Sequence, residues 1–362
     1  MITYGEVEKL RSCCAPDASV LSLYLCVPSD QAELSELPDR AVNLIAAATA
    51  DSPSELQPED EQAARRAVAA HARDRLGDTL GIFVSGRLGL LEVVPLPGKF
   101  PERAVLGVRP HVRPLLAELQ RRPDHRVVII DHQHAWLLAV TADRVEVVAR
   151  VPAEDAPSRG FGGWYLEPSH ILQRVTESAG HLYQEAAAIL DRQTVGGGAQ
   201  PVVIGGYADS ITHLLALLPR AVRDEYAGGF AADPHELTLA RARALAAPVI
   251  AHWAQRREDQ LVQSVTAPMP GVATAIGLDD SLSAVNADGV GLLLVDDRAV
   301  VPGFHCERCD VLSVSSDGCS DWGAAAWPVP DLLEEMTWRT LHGGGQVVSV
   351  RMLACTVAAR LR

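Results

Sequence analysis

The sequence predicts an α/β protein built as three α/β domains. Short apolar runs of strand length alternate with helical stretches along the whole chain. The length of 362 residues suits two or three domains, and 48% hydrophobic residues suffice for sizeable cores. Two breaks, Arg121-Arg122-Pro123-Asp124 and Asp233-Pro234, then divide the chain into 1–123, 124–232 and 233–362.

The first domain reads as mixed. Val20 to Val27 is strand-like, and Glu59 to Leu76 is a charged helical stretch after an acidic Ser/Pro-containing linker. Thr79 to Val84 and Leu90 to Val94 are two strands split by the turn Ser85-Gly86-Arg87. A helix is expected to start at Pro110 and reach Gln120. No chemical constellation stands out here.

The second domain opens with Val127 to Asp131, an apolar strand closed by an acid. His132 and His134 would share one face of a strand, the beginning of a metal site. No third ligand follows at a recognised spacing, so Asp131-His132-Gln133-His134 is read as a polar turn. Ala135 to Val140 and Arg144 to Val151 form a hairpin about Thr141-Ala142-Asp143.

Residues 152–167 are then expected to project as an irregular loop containing Ser158-Arg159-Gly160-Phe161-Gly162-Gly163-Trp164-Tyr165. Three glycines in four positions free the backbone to approach another surface closely. A helix follows, with Ser169 as a candidate N-cap. Leu172, Val175, Ala179, Leu182, Ala186 and Ile189 form its apolar stripe. Arg174, Glu177, His181 and Gln184 lie on the opposite face. Further on, Val202-Val203-Ile204 leads through Gly205-Gly206 into a helix from Asp209 to Leu218. A phosphate could rest at such a helix start. The stretch lacks the third glycine of a dinucleotide fingerprint and the lysine of a P-loop, so a plain β-α turn is the preferred reading.

The third domain begins with the helix signal Asp233-Pro234 and a helical run to Val265, with Pro248 expected to kink or break it. A second helix falls between Gly271 and Asn286, and Val290 to Val295 is an apolar strand. Cys306-Glu307-Arg308-Cys309 has the chelate spacing of a zinc knuckle. Its second half is broken, leaving Cys319 alone, so 303–323 reads as a degenerate knuckle. No cofactor is expected, with zinc at Cys306, Cys309 and Cys319 the one candidate.

The tip Arg159-Gly160-Phe161-Gly162-Gly163-Trp164, followed by a long helix with charges and histidines, resembles the Gly-Gly-Gln loop of the archaeo-eukaryotic peptide chain release factor family. That family includes Pelota and a bacterial branch with relatives such as the hibernation factor Balon. The resemblance covers most of 125–362, and Trp164 stands where the family has glutamine. It implies a release-factor-like fold, with a mixed sheet and projecting Gly-Gly loop in the central domain. The C-terminal domain would be of the ribosomal-protein α/β type, as Gly277 and the turn Asn286-Ala287-Asp288-Gly289 before an apolar strand also suggest.

The resemblance further implies a ribosome-associated translation factor that docks in the tRNA site for peptide release, rescue or hibernation. Gly162, Gly163 and Trp164 become the catalytic positions. Arg159, Phe161, Tyr165, Arg174 and His181 become the contacts to ribosome and tRNA. An active protein would be a peptidyl-tRNA hydrolase. Tryptophan offers one N–H and no acceptor, so it orients water poorly. No substitute acid–base pair is apparent: His170 and His181 lie eleven residues apart, about 16 Å along a helix. Glu177 and His181, one turn apart, are expected to pair with each other. Phe161, Trp164 and Tyr165 either stack on RNA bases or fold back as an apolar cap on the helix. A literal Gly344-Gly345-Gln346 sits between a helix, Asp331 to Leu341, and a strand, Val347 to Val350, which is an ordinary α-β connection.

Charge points elsewhere. The formal net charge is −14, and Arg65-Arg66, Arg121-Arg122 and Arg256-Arg257 are isolated pairs near acids. Free DNA or RNA is therefore not expected as a main ligand. This balance supports a second reading, a non-catalytic protein-interaction or regulatory module that retains the release-factor fold. Seven cysteines, with Cys13 and Cys14 adjacent, suit a reducing cytoplasm. No apolar run reaches membrane-spanning length and no secretion signal opens the sequence, so a cytoplasmic location without membrane contact is expected.

Overall fold

The apolar runs of the sequence become the strands of four sheets among the described residues. The computed structural model describes residues 4–13, 19–50, 52, 55–142, 144–152, 168–197, 200–267, 270–306, 308–316 and 326–362, leaving aside the side chains of 4, 168–178 and 195–197. By spatial contact the chain forms two units, a central unit of 121–257 and a frame made of 1–120 with 258–362.

The first part of the frame contains α1 (Tyr4–Ser12), β1 (Val20–Cys26), α2 (Leu37–Ala50), α3 (Pro58–His71), β2 (Thr79–Ser85), β3 (Leu90–Leu96), β4 (Arg103–Gly107) and α4 (Arg113–Arg121). Its antiparallel sheet has the order β3-β2-β1-β4. Leu21, Leu23 and Leu25 of β1 pack against α2 and α3, and Val20 and Tyr24 face α1 and α4. With both faces covered, β1 is apolar almost throughout. Helix α4 starts later than Pro110. The Val112 carbonyl accepts the first helical bonds, from Leu115 and Leu116.

The central unit holds β5 (His125–Ile130), β6 (His134–Val140), β7 (Val145–Pro152), α5 (Pro168–Gly197), β8 (Val202–Gly206), α6 (Ala208–Leu217), α7 (Arg220–Asp224), β9 (Tyr226–Ala231) and the first part of α8 (Leu239–Thr266). Its sheet, ordered β7-β6-β5-β8-β9, is mixed: β5, β6 and β7 run antiparallel, while β5, β8 and β9 run parallel. Val128, Ile130 and Ile204 face α5, α6 and α7; Val127, Ile129 and Val203 face Ala242, Ala246 and Ile250 of α8. A helix on each side explains why β5 carries no polar alternation from Val127 to Ile130. Of the stripe read on α5, Ala179, Leu182 and Ala186 are buried and Ile189 is partly so. Leu172 and Val175 lie outside the described side chains. Helix α5 begins at Pro168, one residue before Ser169, since proline has no N–H to satisfy in a first turn.

Helix α8 runs through Pro248 without a break. Its early residues belong to the central core, whereas Leu261, Val262 and Val265 pack on the last sheet of the frame. That frame part holds β10 (Thr274–Ile276), α9 (Leu278–Asn286), β11 (Val290–Asp296), β12 (Gly303–Cys306), β13 (Val311–Ser313), β14 (Ala326–Val329), α10 (Leu332–His342), β15 (Gln346–Val350) and β16 (Val357–Leu361). The larger sheet has the order β10-β16-β11-β15, with β11 and β15 parallel; the smaller is β13-β12-β14.

The two parts of the frame meet in a buried polar cluster that the sequence did not announce. Asp331 caps α10, its Oδ1 accepting the N–H of Leu333 at 3.1 Å and of Val301 at 3.2 Å. Its Oδ2 takes Arg113 Nη1 at 2.5 Å and lies 3.2 Å from His111 Nε2. Glu334 accepts the N–H of Val112 and Arg113, capping the start of α4, and also takes Trp338 Nε1 at 3.1 Å. Burial pushes the Asp331 pKa up, but the His111 hydrogen bond and the Arg113 charge outweigh it and hold it below the usual carboxylate value.

Two stability outcomes follow from this packing. Asp331→Asn removes the charge opposite Arg113 and should cost about 3 kcal/mol at neutral pH, read as a lowered melting temperature. Because the folded pKa is depressed, this contribution is present above the unfolded value of about 3.9 and is lost as pH falls through the folded one. The gap between natural chain and variant should therefore narrow below about pH 4; a gap constant down to acid unfolding would refute the assignment. At Gly206, φ is +147° and a Cβ would stand 2.0 Å from the Ile130 carbonyl oxygen. Gly206→Ala should cost more than about 2 kcal/mol. Gly89→Ala, at φ +62° with open space around it, should cost only about 1 kcal/mol.

Candidate functional site

The residues singled out from the sequence fall in three places. Arg159, Phe161, Gly162, Gly163, Trp164 and Tyr165 lie outside the described residues, in the stretch joining β7 to α5. Arg174 is in α5 beyond the described side chains, as are His170 and Glu177. His181, also in α5, is exposed. In the frame, Cys306 is buried at the end of β12, Cys309 is exposed, and Cys319 lies outside the described residues. His305 turns to Asp310, with Nε2 2.8 Å from its Oδ1. Among the described residues no three His, Cys, Asp or Glu side chains are placed to hold a metal ion.

The triplet Gly344-Gly345-Gln346 has a structural explanation. It joins α10 to β15, with Gly344 at φ +77°. A Cβ on Gly345 would lie 2.8 Å from the Val290 carbonyl oxygen and 2.8 Å from Thr340 Cγ2. Gln346 is exposed and paired in register with Leu292 of β11. Turn geometry and close strand approach account for both glycines.

What the sequence did not reveal is a polar cluster where three parallel strands end together. Ile130 is in register with Gly206, and Gly206 with Ala231, so β5, β8 and β9 deliver their next residues to one edge. In α/β sheets this carboxyl edge is where ligands are taken. The turn after β5 supplies Asp131 and His132, and the first residue of β6 is His134. The segment after β8 supplies Tyr207, Asp209 and Ser210, and that after β9 supplies Asp233 and His235. His132 Nε2 lies 3.0 Å from Asp209 Oδ2 and its Nδ1 2.9 Å from the Tyr183 hydroxyl. Tyr183 also donates to Ser210 Oγ at 3.2 Å, and its ring stacks on His213 with centroids 5.8 Å apart. Burial raises the Tyr183 pKa, so the phenol remains a donor. Both imidazole nitrogens of His132 are therefore engaged within the cluster.

Helix α6 does not offer the phosphate cradle that its glycine turn suggests. The Asp209 carboxylate accepts the N–H of Ser210, which holds its pKa below the ordinary value. The anion position at the helix start is filled from within. Gly205 and Gly206 serve packing instead: a Cβ on Gly205 would strike the Phe230 ring at 2.4 Å. After β9, Asp233 caps the 3-10 turn Pro234–Glu236. Its pKa is lowered by the N–H of His235 and by the Tyr207 hydroxyl, while the Tyr207 pKa is raised by its bond to Asp233. The signal for this cluster was the run of His and Asp after Ile130; its partners lie 50 to 100 residues downstream and share no local periodicity with it.

Residues 110–258 match the model described as bacterial archaeo-eukaryotic release factor family 10. No curated protein sequence matches the chain. Among solved structures, the chain is similar to an archaeal translation termination factor, at 16% identity over 99% of this chain and 96% of that one, with TM-score 0.27. It is also similar to Dom34 of S. cerevisiae, described as a translation termination-like factor in RNA quality control that interacts with Hbs1. Identity there is 9%, over 79% of this chain and 80% of that one, with TM-score 0.41. Archaeal Pelota, in a model of ribosome-bound Pelota and ABCE1, gives 13% identity over 99% and 94%, with TM-score 0.42. Residues 110–258, which hold the mixed sheet, the Gly162-Gly163 stretch and α5, are thus the part of the chain similar to bacterial archaeo-eukaryotic release factor family 10.

Proposed function

We propose that the chain is a ribosome-associated translation factor of release-factor type, docking in the tRNA site in peptide release, rescue or hibernation. The observation that carries this reading is the family match over 110–258, which takes in the whole Arg159-to-Tyr165 stretch and the helix after it. Gly162 and Gly163 let the backbone enter the ribosomal catalytic centre. Arg159, Phe161 and Tyr165, with Arg174 and the exposed His181 on α5, contact ribosomal RNA and tRNA.

Trp164 presents one N–H and no acceptor, so its side chain cannot hold water in both hydrogen-bonding senses. Hydrolysis of peptidyl-tRNA is accordingly slow or absent while binding is retained. What remains for chemistry is the backbone N–H of residue 164, a preorganised donor of the kind that stabilises developing negative charge. The zinc site at Cys306, Cys309 and Cys319 would be a structural element of the frame, one ligand short of a closed tetrahedral shell.

The net charge of −14 favours the second reading, a regulatory module that binds proteins and has left the ribosome. Co-sedimentation with ribosomes at low and high salt separates the two: pelleting that persists in high salt supports the first, and no pelleting at low salt supports the second.

Replacing Gly162 and Gly163 together by alanine should abolish ribosome association and leave the melting temperature unchanged. Gln346→Ala should change neither. Loss of association from the Gln346 change alone would move the functional tip to residues 344–346. In a release assay on stalled ribosomes carrying labelled peptide, the natural chain should release slowly and Trp164→Gln should raise the rate about tenfold or more. Fast release by the natural chain, unaffected by that change, would show that the backbone suffices.

A further inference from the structure

We propose that the carboxyl edge of the central sheet holds a docking site for an arginine side chain of a basic partner protein, with Asp131 as its anchor and His235 as a displaceable cover. Asp131 is 4% exposed. Its Oδ1 is saturated by the N–H groups of Gln133 at 2.6 Å and His134 at 2.7 Å. Its Oδ2 is buried and accepts no hydrogen bond. A buried carboxylate oxygen without a donor is costly, and native structures seldom leave one so without a use.

What stands before that oxygen is an imidazole. His235 Nε2 lies 3.5 Å from Oδ2, beyond a good hydrogen bond, and His134 Nδ1 lies 3.8 Å from Oδ1. The side chains of His235 and His134 are 60% and 49% exposed, and their rings meet edge to face with centroids 6.1 Å apart. Asp131 is the one ion-pair partner of the His235 ring among the described residues. The ring is therefore lightly held, while the backbone of its turn is fixed by the Asp233 cap. Swinging it aside opens a path to Oδ2 and leaves His134 as a flat wall.

The chemistry of the edge selects a cation. Asp131, Asp209 and Asp233 all lie on it, and their summed field attracts positive charge. Asp209 and Asp233 are already engaged, by His132 and the Ser210 N–H and by Tyr207 and the His235 N–H, which leaves Asp131 as the anchor. A guanidinium fits best: its planar fork addresses a carboxylate edge and its face stacks on an aromatic ring. A chain of net charge −14 also suits a partner rich in arginine. The site lies wholly within 121–257 and does not draw on the release-factor reading.

The test is fluorescence anisotropy of a labelled octa-arginine peptide titrated with the full chain. Asp131→Asn keeps an Oδ1 acceptor for Gln133 and His134 and removes the charge; it should weaken binding roughly tenfold. Glu61→Gln, a partly exposed acid paired with Arg65 in the frame, should leave binding unchanged. His235→Ala should tighten binding about threefold, because the competent open state no longer competes with the cover. Binding of Asp131→Asn within twofold of the natural chain overturns the proposal, as does an equal loss from Glu61→Gln, which would mark attraction to net charge alone. Should Asp131→Asn lose its folded circular dichroism, His235→Ala decides: unchanged or weaker binding overturns the site.

Discussion

The frame depends on one buried carboxylate. Asp331 does two things that are usually done by different residues: it caps α10 through Oδ1 and neutralises Arg113 through Oδ2. Taking such charges out of water costs several kcal/mol each unless every polar atom finds a partner. Here most do. Arg113 shares its donors between Asp331 and the carbonyls of Asp296 and Ala299. Glu334 answers the start of α4 with both oxygens. The start of α4 thus faces Glu334 of α10, while the start of α10 is capped by its own Asp331. Residues more than 200 positions apart are fixed in one geometry, and α4, α10 and the sheets behind them take their places from it.

The central unit is ordered on a different principle. Its sheet is covered on both faces, so its interior is apolar and its polar chemistry is driven to the strand ends. There Tyr183 ties α5 to the turn after β5 and to the start of α6 through one hydroxyl and one stacked ring. The glycine pair that ends β8 allows the strands to close to contact, and the acid two residues beyond Tyr207 satisfies the helix start from inside.

Local signals made much of this legible. The unbroken apolar run Val127 to Ile130, the stripe Ala179-Leu182-Ala186 and the strand-turn-helix at 202–218 each follow from one period or one turn residue, and each stands in the structure. The context of Gly344-Gly345-Gln346 was also readable, because a helix end and a β-run flank it. The missing parts are those that depend on distant partners. Nothing near His111 or Arg113 points to Asp331, and nothing near Asp131 points to His235. Pro248 was expected to kink or break α8, and the helix is not broken there. Helix propensity counts the lost N–H, but Ala246 and Ile250 are buried on either side of it, and packing holds the helix together.

The frame is discontinuous in sequence: the chain leaves it after Gln120 and re-enters at Glu258. Both crossing points are stitched to one stretch, Gln120 bonding to Val347 and Ser349 and Glu258 to the N–H of Arg351. During synthesis this dictates an order of events. Residues 121–257 are contiguous and can fold as soon as they emerge, whereas the apolar cluster of Val112, Leu115 and Tyr24 in 1–120 is completed only when Trp338 arrives. From the end of the central unit at Arg257 until Trp338 is made, the nascent chain carries a finished middle and an uncompleted beginning. In that interval a chaperone holding the N-terminal part would matter most.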